Sequence, residues 1–328
     1  YTIMQSILIT GASGFVGSHL VEAALEAGYD VWAGLRNTSS RQWLTDDRIH
    51  FITLTLNNYN KLCRELETYA REHGDKGWDY VVHVAGATKA PNEAAFFLAN
   101  CDATHFLAKA LTERKMEPQR FVLMSSLCAD GKKDGGKIPT AYGRSKAKAE
   151  ACLREMPLES VILRPTGVYG PRERDYFLMA KSIKRHIDFA VGYKRQYITF
   201  IYIKDLCAAT MLALKKGKPG AVYALSDGAT YRSRDFSRLL QKEMAVKHVM
   251  HLTAPLWMLW IVCCLGQWIG SITHSMTALN KDKYNILKQR DWRCSIEHAK
   301  AELGYSPSYD LQRGVYETVA WYKANKWI

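Results

Sequence analysis

The sequence predicts a doubly wound α/β protein, a parallel sheet covered by helices on both faces. A smaller, mostly helical second lobe is built from insertions in the C-terminal half. Three observations carry this reading. Short β-rich runs alternate with amphipathic helical stretches through the first half. Those runs are apolar along their whole length, as strands buried on both faces require. The turn after the first run is glycine-rich and stands between a strand and a helix.

The first strand is "SILIT" (6–10), followed by a helix-like "GFVGSHLVEAALEAG" (14–28). Strands are predicted at "DVWAGL" (30–35), "IHFITL" (49–54), "YVVHVA" (80–85), "RFVLMS" (120–125) and "SVILRP" (160–165). Amphipathic helices fall between them, near 58–73, 93–115 and 142–155. The second half is less regular. Helices are predicted near 173–185 and 204–216, a strand at "AVYALS" (221–226), then helices near 232–246, 255–272 and 309–326. No Pro/Gly/Ser-rich linker divides the chain. The nucleotide-binding part is therefore assigned to 1–165 and about 196–226, and the substrate-binding lobe to about 166–195 and 227–328.

With 328 residues, 48% of them hydrophobic, the chain can bury a large core. Lys and Arg total 45 against 32 Asp and Glu, a formal charge of +13. These bases are scattered and no nucleic-acid motif is present. The excess therefore reads as a preference for anionic ligands plus solvated surface. None of the eight cysteines forms a C-x-x-C pair or a zinc-ligand spacing, so no metal is expected. Most lie among apolar neighbours, which points to free thiols in a reducing compartment. Met4 reads as a natural start, the run into "SILIT" shows no signal peptide, and the cytoplasm is the expected location. Homodimerisation is left open.

Gly11, Gly14 and Gly17 are spaced three apart in "TGASGFVG" (10–17), with Ser13, Phe15 and Val16 between them. Glycine there permits the tight turn and brings backbone amides to a pyrophosphate at a helix N-terminus. A site for NAD usually has an acid about 20 residues on, at the end of the second strand. Here that end reads "AGLRNTSSRQ" and supplies Arg36 and Arg41 instead. Arginine suits a 2′-phosphate, so NADP(H) is favoured over NAD(H).

Tyr142 and Lys146 are four apart in "YGRSK", so they share one helix face. Ser125 and Ser126 end the fifth strand, at the sheet edge where ligands bind in such folds. A Ser, a Tyr and a Lys then converge where a nicotinamide would lie.

The chain resembles an extended short-chain dehydrogenase/reductase of the NAD(P)-dependent epimerase/dehydratase superfamily, a Rossmann fold. The resemblance rests on "TGASGFVG", "DYVVHVAG" (79–86), "MSSL" (124–127), "YGRSK" (142–146) and "RPTGVYGP" (164–171), in that order. "FIYIKDL" (200–206) and "ELGYSPSYDLQRGVYETVAWY" (302–322) add to it. The resemblance implies Tyr142 as the general acid/base on the substrate oxygen. It implies Lys146 as the group that favours the phenolate and bonds the nicotinamide ribose. Ser126, the second Ser of its pair, would hold the carbonyl oxygen, and Asn100, matching the family's Asn at the N-terminus of the helix leading to the site, would join the catalytic set; taken alone, Asn100 reads equally as a helix-cap or turn residue. Ala85, Pro165 and Val168 join the implied cofactor contacts. His83 reads as a packed strand-end histidine.

Several positions depart from the family pattern. Thr166 and Gly167 stand where nucleotide-sugar enzymes often have Asn. Ile198 and Thr199 stand where those enzymes often have a diphosphate-binding Arg. The usual adenine-binding Asp is replaced by Thr55 and Asn57. Tyr142 follows Ser126 by 16 positions, short for this family, which implies a more open pocket, although the loop "DGKKDGG" (130–136) is still able to act as a lid. The uncharged segment 254–272 carries three tryptophans and is expected to line an apolar substrate pocket rather than to cross or lie on a membrane. The resemblance is nearest to dihydroflavonol reductases and 3β-hydroxysteroid dehydrogenases. It implies an NADP(H)-dependent oxidoreductase acting on a hydrophobic ketone or secondary alcohol. A nucleotide-sugar epimerase/dehydratase and a non-catalytic NADP-binding protein are the alternatives.

Overall fold

A computed structural model describes residues 4–131, 137–273 and 280–328. The first half runs β1 (Ser6–Thr10), α1 (Phe15–Glu26), β2 (Asp30–Leu35), β3 (His50–Thr53), α2 (Tyr59–Glu72) and β4 (Tyr80–His83). Then come α3 (Glu93–Phe97), a π-helical turn (Leu98–Asp102) leading into α4 (Ala103–Glu113), β5 (Arg120–Met124), α5 (Ala141–Arg154) and β6 (Ser160–Pro165). After these follow β7 (Gly167–Tyr169), α6 (Asp175–Lys184), β8 (Ile187–Val191), β9 (Tyr197–Ile198), β10 (Phe200–Tyr202), α7 (Ile203–Lys216) and β11 (Val222–Leu225). The chain ends with β12 (Tyr231–Arg232), α8 (Asp235–Glu243), β13 (Met250–Ala254), α9 (Leu256–Thr273), α10 (Lys281–Leu287), β14 (Asp291–Trp292), α11 (Glu297–Leu303) and α12 (Leu311–Ala324).

Seven strands form one sheet in the order β11-β6-β5-β4-β1-β2-β3, and β1 to β6 pair in parallel. This is the doubly wound Rossmann arrangement that the sequence predicts. The strands are buried on both faces, which is why their runs are continuously apolar. Leu8, Val81, Phe121 and Ile162 pack into a core with Leu62 and Leu66 of α2, Leu107 and Leu111 of α4, and Leu153 of α5. The alternate residues Ile7, Ile9 and Val82 point to the other face, where α1 packs on β1 and β2. The order reverses between β1 and β4, so the loops after these two strands open the crevice where ligands bind in such sheets.

The chain divides into two units. The first holds the described residues up to Arg164, together with Cys207–Tyr223 and His298–Tyr305; the second holds the rest. The division and the sequence assignment differ at residue 165 and at 224–226, and more substantially in two stretches. Residues 196–206 belong to the second unit, because β10 pairs with β7. Residues 298–305 belong to the first, because Glu302 accepts from Lys218 Nζ at 2.6 Å and from the Tyr223 hydroxyl at 2.7 Å.

The second unit has an aromatic core of Tyr169, Tyr176, Phe200 and Phe236, whose ring centroids lie 4.7–6.4 Å apart. Gly314 of α12 lets this core close, since an added Cβ would come within 2.0 Å of the Tyr169 hydroxyl. Buried Asp205, in "FIYIKDL", accepts from the Ser308 and Tyr309 amides at 2.9 and 3.0 Å. That bond ties two of the recognisable sequence stretches together.

Helix α9 corrects one expectation. Its three tryptophans do not line an enclosed pocket: Trp257, Trp260 and Trp268 are all solvent-exposed. Among the described side chains of α9, only Leu259 and Cys263 are buried, and α9 packs against α10. A helix apolar on every side has more greasy surface than one neighbour can cover. Among the described residues, no helix is long and apolar enough to cross a membrane.

Candidate active site

The glycine turn follows β1 at the point where the strand order reverses. Gly11 has φ +66°, and a Cβ there would lie 2.8 Å from the Ala85 backbone. A Cβ on Gly17 would lie 2.2 Å from the Gly11 carbonyl oxygen. The cradle thus exists only with glycine. Gly14 caps α1 in extended backbone with no side-chain bond to the first-turn amides. Those amides are left to an anion, and the cradle fits a dinucleotide. Ser13, Phe15 and Val16 lie in this same turn, and Ala85 faces Gly11 from the loop after β4. Pro165 and Val168 belong to the second unit.

At the ends of β2 and β3, a cavity of about 110 Å³ is lined by Arg36, Asn37, Ser39, Arg41, Phe51 and Thr53 among others. No carboxylate is in its lining. The Arg41 guanidinium stacks 4.0 Å from the centre of the Phe51 ring. The Arg36 amide donates to the Ser39 hydroxyl at 3.1 Å.

The adjacent serines have separate fates. Ser125 is buried and donates to Glu150 Oε1 at 2.6 Å. Ser126 begins a short 3₁₀ turn (Leu127–Ala129), accepts from the Cys128 amide at 3.2 Å and draws the Tyr142 pKa down against the effect of burial. Tyr142 reaches it because Thr140 caps α5, accepting from the Gly143 amide at 2.9 Å. Gly143 allows the approach, since a Cβ there would strike the Cys128 carbonyl oxygen at 2.3 Å.

Lys146 lies one turn beyond Tyr142. Its Nζ donates to the Met124 carbonyl at 2.9 Å. Burial pushes its pKa down to about 8, against the pull of the Glu150 carboxylate one turn further on. Burial also pushes the Tyr142 phenol up, the Cys128 thiol adds to this, and the Ser126 bond opposes it. The net direction for the half-buried Tyr142 phenol is upward.

Asn100 is no helix cap. It lies in the π-helical turn, buried, with both amide hydrogens committed, to the Ala87 carbonyl at 3.0 Å and the Ser145 hydroxyl at 2.9 Å. Its Oδ1 accepts from the Ala87 amide at 2.8 Å. It braces the loop after β4 against α5, which makes it a positioning residue in this geometry. Gly86 permits the brace: a Cβ there would lie 2.5 Å from Asn100 Oδ1 and 3.2 Å from Lys146 Nζ. His83 is fully buried, with Nδ1 2.8 Å from the Thr10 hydroxyl oxygen.

Sequence reasoning missed Glu150, which joins Ser125, Arg164 and Arg154 in one buried network. Its signal is present: it stands four residues after Lys146, on the same face. The loop "DGKKDGG" falls mostly outside the described residues, which omit 132–136. In the second unit, the Thr166 hydroxyl lies 2.8 Å from both the carbonyl and hydroxyl oxygens of Thr199. A Cβ on Gly167 would meet the Tyr176 hydroxyl at 2.6 Å.

A glycine turn at the switch point of a parallel, helix-covered sheet marks the doubly wound class of dinucleotide-binding fold. The family model described as the NAD dependent epimerase/dehydratase family matches residues 7–226, and the chain belongs to that family. It is an oxidoreductase of the extended short-chain type. A ceramide reductase from Caulobacter vibrioides is 26% identical over 327 residues, covering 98% of this chain and 96% of its own. A UDP-glucose 4-epimerase from Vibrio cholerae is also 26% identical, covering 98% and 97%. The solved structure of an epimerase from Methanothermobacter thermautotrophicus superposes with TM-score 0.78 at 18% identity, covering 98% and 93%. That last likeness speaks to the fold alone.

Proposed function

We propose that the protein moves a hydride between NADP(H) and a hydrophobic ketone or secondary alcohol. The observation that carries this reading is that Tyr142 and Lys146 stand one turn apart on α5, with Lys146 Nζ on the Met124 carbonyl at the end of β5, just before Ser125 and Ser126, and the glycine cradle in the same unit. When bound, the nicotinamide supplies or accepts the hydride. In the reducing direction, Tyr142 gives its phenolic proton to the carbonyl oxygen, and burial keeps that proton in place until then. Ser126 donates to the same oxygen as negative charge develops on it. The Lys146 ammonium stabilises the tyrosinate left behind.

NADP(H) rather than NAD(H) is supported by the acid-free cavity beneath Arg36 and Arg41, which suits a 2′-phosphate. An apolar substrate is supported by Thr166, Gly167 and Thr199. Their space and hydroxyls are spent inside the fold rather than offered to a diphosphate. It is also in keeping with the ceramide reductase relative, whose named substrate is a lipid. A panel of keto-lipids, sterols, flavonoid-like ketones and UDP-sugars, assayed with both cofactors, tests the reading. Consumption of NADPH with an apolar ketone is expected. The equally similar UDP-glucose 4-epimerase favours a second reading, sugar epimerisation, which would convert UDP-glucose with no net change in cofactor absorbance.

A further inference from the structure

We infer that the second unit docks on an anionic membrane surface through one apolar face, built from the strand pair β8/β13 and helix α9. The face belongs to no catalytic element, and the inference stands apart from the substrate proposal.

In the parallel pair, Ile187 is opposite Met250, Phe189 opposite Leu252, and Val191 opposite Ala254. Residues two apart share a sheet face, so these six apolar side chains point one way. Phe189 is 61% exposed and Met250 57%. On the opposite face, buried Asp188 takes Arg234 Nη1 at 2.5 Å and His251 Nδ1 at 2.9 Å. The carboxylate of the pair is therefore satisfied inside the unit, while Phe189, Met250 and Leu252 face out.

Helix α9 continues this pattern. Trp257, Trp260 and Trp268 are 66%, 50% and 64% exposed, and Met258, Ile261, Val262, Leu265 and Ile269 are exposed with them. A water-facing helix does not ordinarily turn eight large apolar side chains to solvent, and a patch of this kind marks an interaction surface. No acid or base occurs from Ala254 to Thr273.

Charge chooses the partner. The stretches 181–195 and 247–290 contain ten Lys or Arg and only two acids, and one of those acids, Asp188, is already paired. The bases sit at the ends of the face rather than within it. Lys184 and Arg185 precede β8, and Lys247 precedes β13 at the same end. Beside them, an open cavity of about 520 Å³ is lined by His186, Lys247, His248 and His251 among others. At the other end, exposed Tyr193, Lys194 and Arg195 adjoin the start of α9, where the Gly192 amide bonds the Ala254 carbonyl at 2.8 Å. An apolar belt rich in Trp with bases on its rim matches the acyl boundary and the headgroups of an anionic leaflet. A second copy of the chain would bring the same bases against each other.

The test is flotation of the full chain with vesicles of phosphatidylcholine alone and of phosphatidylcholine with phosphatidylglycerol. Binding is expected on the anionic vesicles, weakening as salt rises. The variant W257S/W260S/W268S should lose at least about tenfold in partition. K194S/R195S should lose about tenfold or more on anionic vesicles and little on neutral ones. Both variants should keep the parent's thermal midpoint and its NADPH binding, since the altered side chains are exposed. Equal partition of parent and Trp variant would overturn the inference. So would a parent that stays unbound, or a concentration-dependent dimer in sedimentation velocity that the Trp variant abolishes while vesicle binding is absent.

Discussion

Ser125 donates its hydroxyl to the buried carboxylate of Glu150 at 2.6 Å, while Ser126, the next residue, accepts from the Cys128 amide at 3.2 Å and draws the Tyr142 pKa down against the effect of burial. Two neighbours in a strand end point to opposite faces, so the pair cannot share one task. Ser126→Ala is expected to lower kcat about 10²–10³-fold, the usual loss for one donor to a developing oxyanion. Ser125→Ala should leave kcat within a few-fold and reduce unfolding free energy by about 1–3 kcal/mol, since it strips a buried carboxylate of one donor. Steady-state kinetics and denaturant unfolding of the two variants decide this. The reverse pattern would exchange the roles of the two serines.

Tyr142→Phe removes one oxygen and keeps the ring that packs near Phe96. Turnover should fall about 10²–10⁴-fold, the contribution of a positioned acid/base. NADPH affinity, read by titration calorimetry, should change little. A variant keeping more than about a tenth of the parent rate would be incompatible with Tyr142 as the proton donor.

The sheet was legible because its strands are buried on both faces, and continuous apolar runs such as "YVVHVA" have few other uses. The glycine turn was legible because only glycine tolerates the contacts at Gly11 and Gly17. Strands β8 and β13 were not. "IDFAV" alternates weakly, and its partner "MHLTA" lies about 60 residues on, so neither shows itself without the other. Helix α9 misled for a different reason. Composition records that a segment is apolar, but exposure depends on how much neighbouring surface is available to cover it. Asn100 was visible only through the family resemblance, and the π-helical turn that aims its amide at Ala87 and Ser145 depends on those tertiary partners.

Cofactor choice should rest on the cavity at the ends of β2 and β3. NADPH is expected to bind more tightly than NADH. Arg36→Ala and Arg41→Ala should each narrow the gap about tenfold, by loss of one charge-assisted contact to phosphate. Titration calorimetry with both cofactors measures it. Equal affinities in the parent would mean that neither arginine meets a 2′-phosphate.

His83 should make the fold acid-sensitive. Burial, with the Lys146 charge nearby, holds its pKa down to about 3, against 6.5 for a free histidine. The unfolded chain therefore takes up this proton first. The stability from neutral His83 is complete above about pH 6.5 and is lost as pH falls toward 3, at no more than about 1.4 kcal/mol per pH unit. Urea unfolding of His83→Gln across that window should show a flatter slope. An unchanged slope would place the acid sensitivity elsewhere.

Lys146 sets the last expectation, on the alkaline side. Its pKa is lowered to about 8 by burial, and Glu150 works against that shift. In the proposed reduction the ammonium must be charged to hold the tyrosinate, so kcat/KM should be full below about pH 8 and fall above it. Removing the Glu150 charge takes away support for the charged form, so Glu150→Gln should move this limb to lower pH. The substitution also strips the half-buried Arg164 of its nearer carboxylate and leaves it Asp130 Oδ1 at 3.8 Å, which costs some stability. Loss of folded enzyme lowers the whole profile, whereas an electrostatic link between Glu150 and Lys146 displaces its midpoint. A profile for Glu150→Gln that is lower everywhere but keeps the parent midpoint would show that Glu150 supports the fold and leaves the Lys146 proton alone.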